Sequence, residues 1–259
     1  MSVDETKGIT LDDQDIEIVN QCIAQNPTIL LQCTEIRNRL ASARLKRIPK
    51  ESIRKLESFD AAVIDNAVEH NYEMLLKDAA LSRPEQLISV VRSTDLVVQK
   101  GPFLKVLSVG PRSEAEIFYL LSVGFHPENI RGLDLISYSP FVDLGDMHSM
   151  PYADHSFDVI ILGWVLAYSK DDAKVAREVV RVAKPGALIA IGCEYNPLSS
   201  QELQDRGGIL KTDYPRFQST QDILKFFDGH VGDLVYKHDI RSDARNQTGA
   251  VMAAFYLKN

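Results

Sequence analysis

The residues best suited to chemistry cluster in residues 141–163, FVDLGDMHSMPYADHSFDVIILG, where an acidic, Gly-containing turn precedes the apolar run Val159, Ile160, Ile161 and Leu162. An apolar run of this kind predicts a strand buried on both faces, as in parallel sheets. Such sheets bind ligands at strand ends and in the turns beside them, so Asp146 and its neighbours are the first candidates for ligand contact. Metal or disulfide chemistry has no comparable support. Cys22, Cys33 and Cys193 are too scattered for zinc-ligand spacing or a disulfide framework and read as buried free thiols.

Composition narrows the choice of partner. With 259 residues, 45% hydrophobic and 25% charged, the chain is expected to form one α/β domain with an appendage. Its formal net charge of −7 argues against a protein that coats nucleic acid, because phosphate contacts need a positive field. No apolar run approaches the ~20 residues needed to cross a bilayer, and the acidic N-terminus does not resemble a signal peptide, so a cytoplasmic protein is expected.

The elements that must hold the site divide the chain in two. Residues 1–100 read as an all-helical N-terminal extension. A helix from about Leu11 is capped by Thr10, a second runs through Ile29 to Leu40, and a third covers about 58–81. A fourth opens at the capping box Ser82-Arg83-Pro84-Glu85 and ends near Gly101-Pro102. Within the extension, residues 37–55 hold eight Lys or Arg against one acid, Glu51. That run reads either as a solvated helix face or as a surface for an anionic substrate or acidic partner.

Residues 101–259 alternate strand and helix. Strands are expected at 103–109, 130–136, 159–162 and 187–192. Helices are expected after the capping box Ser113-Glu114-Ala115-Glu116 and over 170–182. This alternation predicts a doubly wound, mostly parallel sheet with helices on both faces. Residues 195–217, with Pro197, Gly207, Gly208 and Pro215, read as a long binding loop or lid. Residues 234–240 and 250–257 then suit an antiparallel hairpin at the sheet edge.

Four segments in this order, VLSVG before a capped helix, GLDLIS, GDMHSMPYADHSFDVIILGWVLAYS and EVVRVAKPGALIAIG, resemble the class I S-adenosylmethionine-dependent methyltransferases of the type 11-like domain kind. The likeness covers about residues 104–192 and, more loosely, the final hairpin. It implies a Rossmann-like methyltransferase fold with S-adenosyl-L-methionine as cofactor. Gly110 would close the first strand where backbone approaches the cofactor, with the next helix N-terminus offering unpaired N–H groups. Asp134, at the end of the second strand, would accept from ribose hydroxyls. Asp146 corresponds to the acid that meets the adenine amino group, with the N–H of Met147 near a ring nitrogen. Asp158 and the turn Lys184-Pro185-Gly186 match structural positions.

The chain also departs from the family pattern. Ser108 stands where an acid is usual, and Gly110-Pro111-Arg112-Ser113 replaces a glycine-rich run. The Arg112 guanidinium could pair with the carboxylate of the methionine end. The alternatives for Arg112 are a surface salt bridge or a site that has lost cofactor binding. Only about six residues separate Leu135 from Val142, too few for the usual crossover of a dozen or more. The third strand is therefore expected to be missing or irregular, with the N-terminal helices covering the exposed edge.

Methyl transfer from a sulfonium needs alignment and water exclusion more than a nucleophilic side chain. On the acceptor side, Trp164 and Tyr168 could face the sulfonium or a cationic amine, while His148, Glu194 and Tyr138 are the candidate bases. The resemblance implies transfer to an oxygen or nitrogen of a small molecule or glycan. The alternative is a non-catalytic methyltransferase-like binding or scaffold protein. A homodimer through the N-terminal helices is the expected assembly. A nicotinamide oxidoreductase is disfavoured because no G-x-G-x-x-G follows the first strand.

Overall fold

The computed structural model describes residues 11–57, 83–111, 113–198, 202 and 217–258. In chain order the helices are α1 (Asp13–Gln25), α2 (Thr34–Leu45), α3 (Arg83–Arg92), α4 (Asp95–Lys100), α5 (Glu114–Ser122), α6 (Asp172–Val182) and α7 (Thr220–Leu224). The strands are β1 (Arg54–Lys55), β2 (Val106–Val109), β3 (Ile130–Asp134), β4 (Ile136–Ser137), β5 (Val142–Leu144), β6 (Phe157–Gly163), β7 (Ala183–Tyr195), β8 (Val231–His238) and β9 (Gly249–Leu257).

Seven strands form one sheet in the order β5-β3-β2-β6-β7-β9-β8. The first five are mutually parallel, and β9 and β8 run antiparallel as the expected edge hairpin. Alternation along each strand feeds two cores. Leu107, Val109, Ile160 and Leu162 face α6, α7 and Phe227. Val106, Val159 and Ile161 face α3, α4 and α5. Both faces are covered, which is why β6 reads as a continuous apolar run. From β2 the chain steps to β3 on one side and later to β6 on the other, so the strand order reverses at the carboxyl end of β2. A crevice for ligand opens at such a reversal.

The third strand is neither missing nor irregular, contrary to expectation. Strand β5 pairs in parallel with β3, Gly132 opposite Val142 and Asp134 opposite Leu144. It overlaps only the last residues of β3, so the chain has to retreat just ~7 Å at ~3.3 Å per residue, and a short loop achieves this without a helix. The expected strand over 130–136 ends at Asp134, and the retreat begins in β4.

Among the described residues the exposed edge is met by a strand rather than by the expected helices. Strand β1 pairs antiparallel with β4, and the Arg54 guanidinium donates to the edge carbonyl of Val142 at 3.2 Å, to Ser139 O at 3.3 Å and to Ser137 Oγ at 2.9 Å. The Ser137 hydroxyl donates to the same Val142 carbonyl at 2.7 Å. A carbonyl satisfied twice offers little template for another strand.

Other expectations about the N-terminal half also change. It is not all-helical, because β1 lies within it. The single helix expected up to Gly101 is two, broken at Ser93 and Thr94. Asp12 rather than Thr10 caps α1, forming a capping box with Asp15. Thr10, Ser82 and the helix expected over 58–81 lie outside the described residues, as does most of the long connection after Leu198.

Of the basic residues in the run 37–55, Arg37 alone is buried and the rest are largely exposed. Arg37 is fully buried against Glu85 with its guanidinium 4.2 Å from the Tyr119 ring centroid, Arg44 pairs with Glu114 at 2.5 Å, and Arg39 pairs with Glu35. Cys193 is buried as expected, but Cys22 and Cys33 are exposed, because α1 and the turn after it have no buried residues. Among the described residues no helix is long and apolar enough to cross a membrane.

Candidate functional site

Gly110 sits where the strand order reverses. Its φ of +70° lies in the left-handed region, and a Cβ there would stand 2.5 Å from Val165 Cγ2. Only glycine meets both conditions without strain. Its N–H donates to Leu133 O at 2.8 Å, tying the end of β2 to the end of β3. Gly110→Ala is expected to cost ~2 kcal/mol, since the left-handed penalty (~1 kcal/mol) and the overlap with Val165 both oppose it. Thermal unfolding checks this, and Val165→Ala in the same chain should recover only the overlap part.

Asp134 follows at the end of β3. Burial pushes its carboxyl up to about 7, against the opposing pull of the Ile136 and Leu135 backbone N–H groups. The Ile136 N–H donates to Oδ1 at 3.2 Å. The Asp134 carbonyl accepts from Gly145 N–H at 2.9 Å, which brings the turn bearing Asp146 alongside.

In that turn Asp146 Oδ1 accepts the His148 N–H at 2.9 Å and contacts His148 Nδ1 at 2.6 Å, while His148 Nε2 lies 3.0 Å from Ser169 Oγ. Both ring nitrogens of His148 are therefore engaged. Met147 packs, partly buried, against the core on the α6 side of the sheet.

Trp164, directly after β6, also has a left-handed backbone, φ +61°, unusual for a bulky residue. Its N–H donates to Gly192 O at 2.8 Å, and a Cβ on Gly192 would lie 2.8 Å from the indole ring. The indole Nε1 is buried with no hydrogen-bond partner among the described residues. A buried donor left unpaired costs free energy, and a ligand acceptor would relieve it. Tyr168 is exposed, and Glu194 lies on β7 opposite Ala250. Tyr138 accepts the Glu114 N–H at 3.2 Å, and burial pushes its phenol up to about 12, so it keeps its proton at neutral pH. Arg112 lies outside the described residues.

Backbone bonds through Leu133 and Gly145 thus bring Gly110, Asp134, Asp146 and His148 together at the carboxyl ends of β2 and β3, while Trp164 stands after β6 and is bonded to Gly192. Sequence reasoning passed over Val165 and Ser169, and assigned Glu116 only to the capping box with Ser113. Ser113 caps α5 as expected by accepting from Ala115 N–H, but the Glu116 carboxylate accepts from the buried Ser108 hydroxyl in β2. An acid from α5 therefore reaches the strand position where the family pattern has its own acid. Val165 and Ser169 carry no local signal, and the signal that Glu116 carries pointed to the helix cap instead.

These residues fit S-adenosylmethionine. A desolvated carboxylate at the end of β3 would gain from donating ribose hydroxyls, the Gly110 turn has no Cβ to obstruct close approach, and acidic side chains suit a cation.

The fold is that of a Rossmann-like domain. A methyltransferase domain model matches residues 121–191, which include Asp134, Asp146, His148, Trp164 and Tyr168 but not Gly110. Over those residues the chain is similar to methyltransferase domains, in line with the resemblance carried by its sequence segments.

Among curated relatives, a demethylmenaquinone methyltransferase of Desulfitobacterium hafniense (strain Y51) is 38% identical over 64 residues, 24% of each chain. A norajmaline N-methyltransferase of Rauvolfia serpentina is 41% identical over 49 residues, 19% of this chain and 17% of that one. The matched stretch thus spans a quarter or less of each relative's length. A solved structure of a methyltransferase of Haloferax volcanii, described as putative and in complex with the Trm112 activator, is similar in fold. It has a TM-score of 0.50 and 15% identity, covering 75% of this chain and 96% of that one.

Proposed function

We propose that the protein is an S-adenosylmethionine-dependent methyltransferase acting on an oxygen or nitrogen of a small molecule or glycan. The observation that carries this reading is the largely buried Asp134 carboxyl at the strand-order reversal, where the Gly110 N–H binds the Leu133 carbonyl and the Gly145 N–H binds the Asp134 carbonyl, so that the Gly110 and Asp146 turns flank it. The printed names of the two curated relatives support a small-molecule acceptor.

Bound here, the cofactor would supply an electrophilic methyl group on a sulfonium. Asp134 would hold the ribose, Asp146 and the Met147 N–H the adenine, and Arg112 the methionine carboxylate. The Trp164 indole would shield the acceptor side and offer its unpaired N–H. In-line displacement then depends on alignment and exclusion of water. With Tyr138 held neutral, Glu194 and the engaged His148 are the groups left to receive a proton.

Calorimetric titration with S-adenosylhomocysteine tests the reading, with micromolar binding expected. Failure to bind at millimolar ligand would leave the alternative, a non-catalytic binding or scaffold protein. Exposed Ile16, Ile18 and Val19 on α1 support pairing of two copies through the N-terminal helices, and a monomeric mass in light scattering would rule that out.

A further inference from the structure

A continuous set of hydrogen bonds connects the Asp146 turn to the start of α6. The Asp171 N–H donates to Ser169 Oγ at 3.1 Å, and Asp171 itself caps α6 by accepting from Lys174 N–H at 2.9 Å. With its acceptor side engaged, the Ser169 hydroxyl can give its proton to His148 Nε2, 3.0 Å away. The imidazole then carries its proton on Nδ1 and donates to Asp146 Oδ1 at 2.6 Å, beside the His148 N–H at 2.9 Å. Every bond in the series runs in one direction, an arrangement in which each bond strengthens the next. Ser169 is almost wholly buried, and His148 and Asp146 keep 14% and 28% of their side-chain exposure, so the anchor is deep and the carboxylate is the most open of the three.

We propose that His148, held by Ser169, is a positioning residue that makes the site select a 6-aminopurine over a 6-oxopurine. Two donors fix Oδ1 of Asp146, and Oδ2, which has no hydrogen-bond partner among the described residues, is the oxygen presented to an exocyclic amino group. A carboxylate fixed in this way pairs with an amino group and repels a carbonyl oxygen. A freely rotating one distinguishes them less. The inference rests on the cofactor reading above and adds to it the residues that orient the adenine-facing acid.

The test compares S-adenosylhomocysteine with its deaminated analogue S-inosylhomocysteine by calorimetric titration. The unmodified protein should prefer the adenine ligand roughly a hundredfold, and His148→Ala should reduce that preference to below about tenfold. His148→Asn, whose side-chain amide can still donate to Asp146, should restore most of it. Ser169→Ala should give an intermediate loss. Equal weakening of both ligands by His148→Ala, with the preference unchanged, would overturn the proposal and leave His148 a merely structural residue. If His148→Ala does not fold, the preference measured in Ser169→Ala and His148→Asn decides. Failure of the unmodified protein to bind either ligand would instead remove the cofactor reading itself, and this inference with it.

Discussion

Asp134→Asn is expected to make the protein more stable at neutral pH and worse at binding cofactor. In the folded chain burial pushes this carboxyl up to about 7, whereas in the unfolded chain it titrates near ~3.9. Between those values the folded state binds a proton that the unfolded state has lost. The folded state is therefore at no disadvantage from this group below pH ~4, loses stability as pH rises toward 7, and carries the full cost above it. At ~1.4 kcal/mol per unit the ceiling is about 4 kcal/mol. The side chain keeps partial solvent access, so the realised gain from Asn should be on the order of 1–2 kcal/mol at pH 8 and near zero at pH 4.

Urea denaturation at the two pH values checks this. A gain that grew toward pH 4 would show that burial of charge is not its source. Binding should move the opposite way. Ribose hydroxyls donate best to the ionised acid, so affinity for S-adenosylhomocysteine should fall about tenfold per pH unit below ~7 in the unmodified protein. Asp134→Asn should bind roughly 10–100-fold more weakly at pH 8 and lose that pH dependence. A site residue that destabilises its own fold is what a binding role, rather than a structural cap, would leave behind.

Arg37→Ala should cause the largest loss of stability. Its guanidinium is buried against Glu85, stacks over Tyr119, and donates to the Leu31 carbonyl and, at 3.1 Å, to Thr34 Oγ1. Removing it leaves the Leu31 carbonyl without this donor and Glu85 with the Thr34 hydroxyl at 2.8 Å but no countercharge, and breaking a buried pair from one side costs ~3–5 kcal/mol. Glu85 keeps 23% of its exposure, which favours the lower end. For a chain of this length ~3 kcal/mol corresponds to about 6–12 °C in Tm. Adding Glu85→Gln should recover part of the loss, because the abandoned charge is then gone. Tyr119 lies in the last turn of α5, away from Gly110, so the affinity of folded Arg37→Ala protein for S-adenosylhomocysteine should stay within about threefold.

Much of this was legible from local pattern. The apolar run 159–162 became the centre of β6, the terminal hairpin formed at the sheet edge, and the glycine after the first strand took the left-handed conformation that a tight approach requires. Each of these follows from a period, a turn residue or a steric limit on φ, all carried by neighbours in sequence. The basic run was visible as composition, but its use was not. Whether an arginine meets water or a buried glutamate depends on which helix folds over it, as Arg37 and Glu85 illustrate. The short link between β3 and β5 was read as too brief for a third strand because the crossover rule assumes strands that overlap along their length, and β5 overlaps β3 by only its own three residues.

By itself, then, the sequence determined the alternation of strand and helix, the placing of acids at strand ends and the resemblance to a methyltransferase. All of these depend on residue order and short-range sterics. Only the tertiary structure decided how those acids are held. It buried most of Asp134, tied Asp146 to Ser169 through His148, brought Glu116 to Ser108 and set Arg37 against Glu85. A hydrogen bond or an ion pair between distant residues leaves no periodic trace in a chain, because it depends on where the packed elements bring two side chains together, and that is settled by the cores on either side of the sheet.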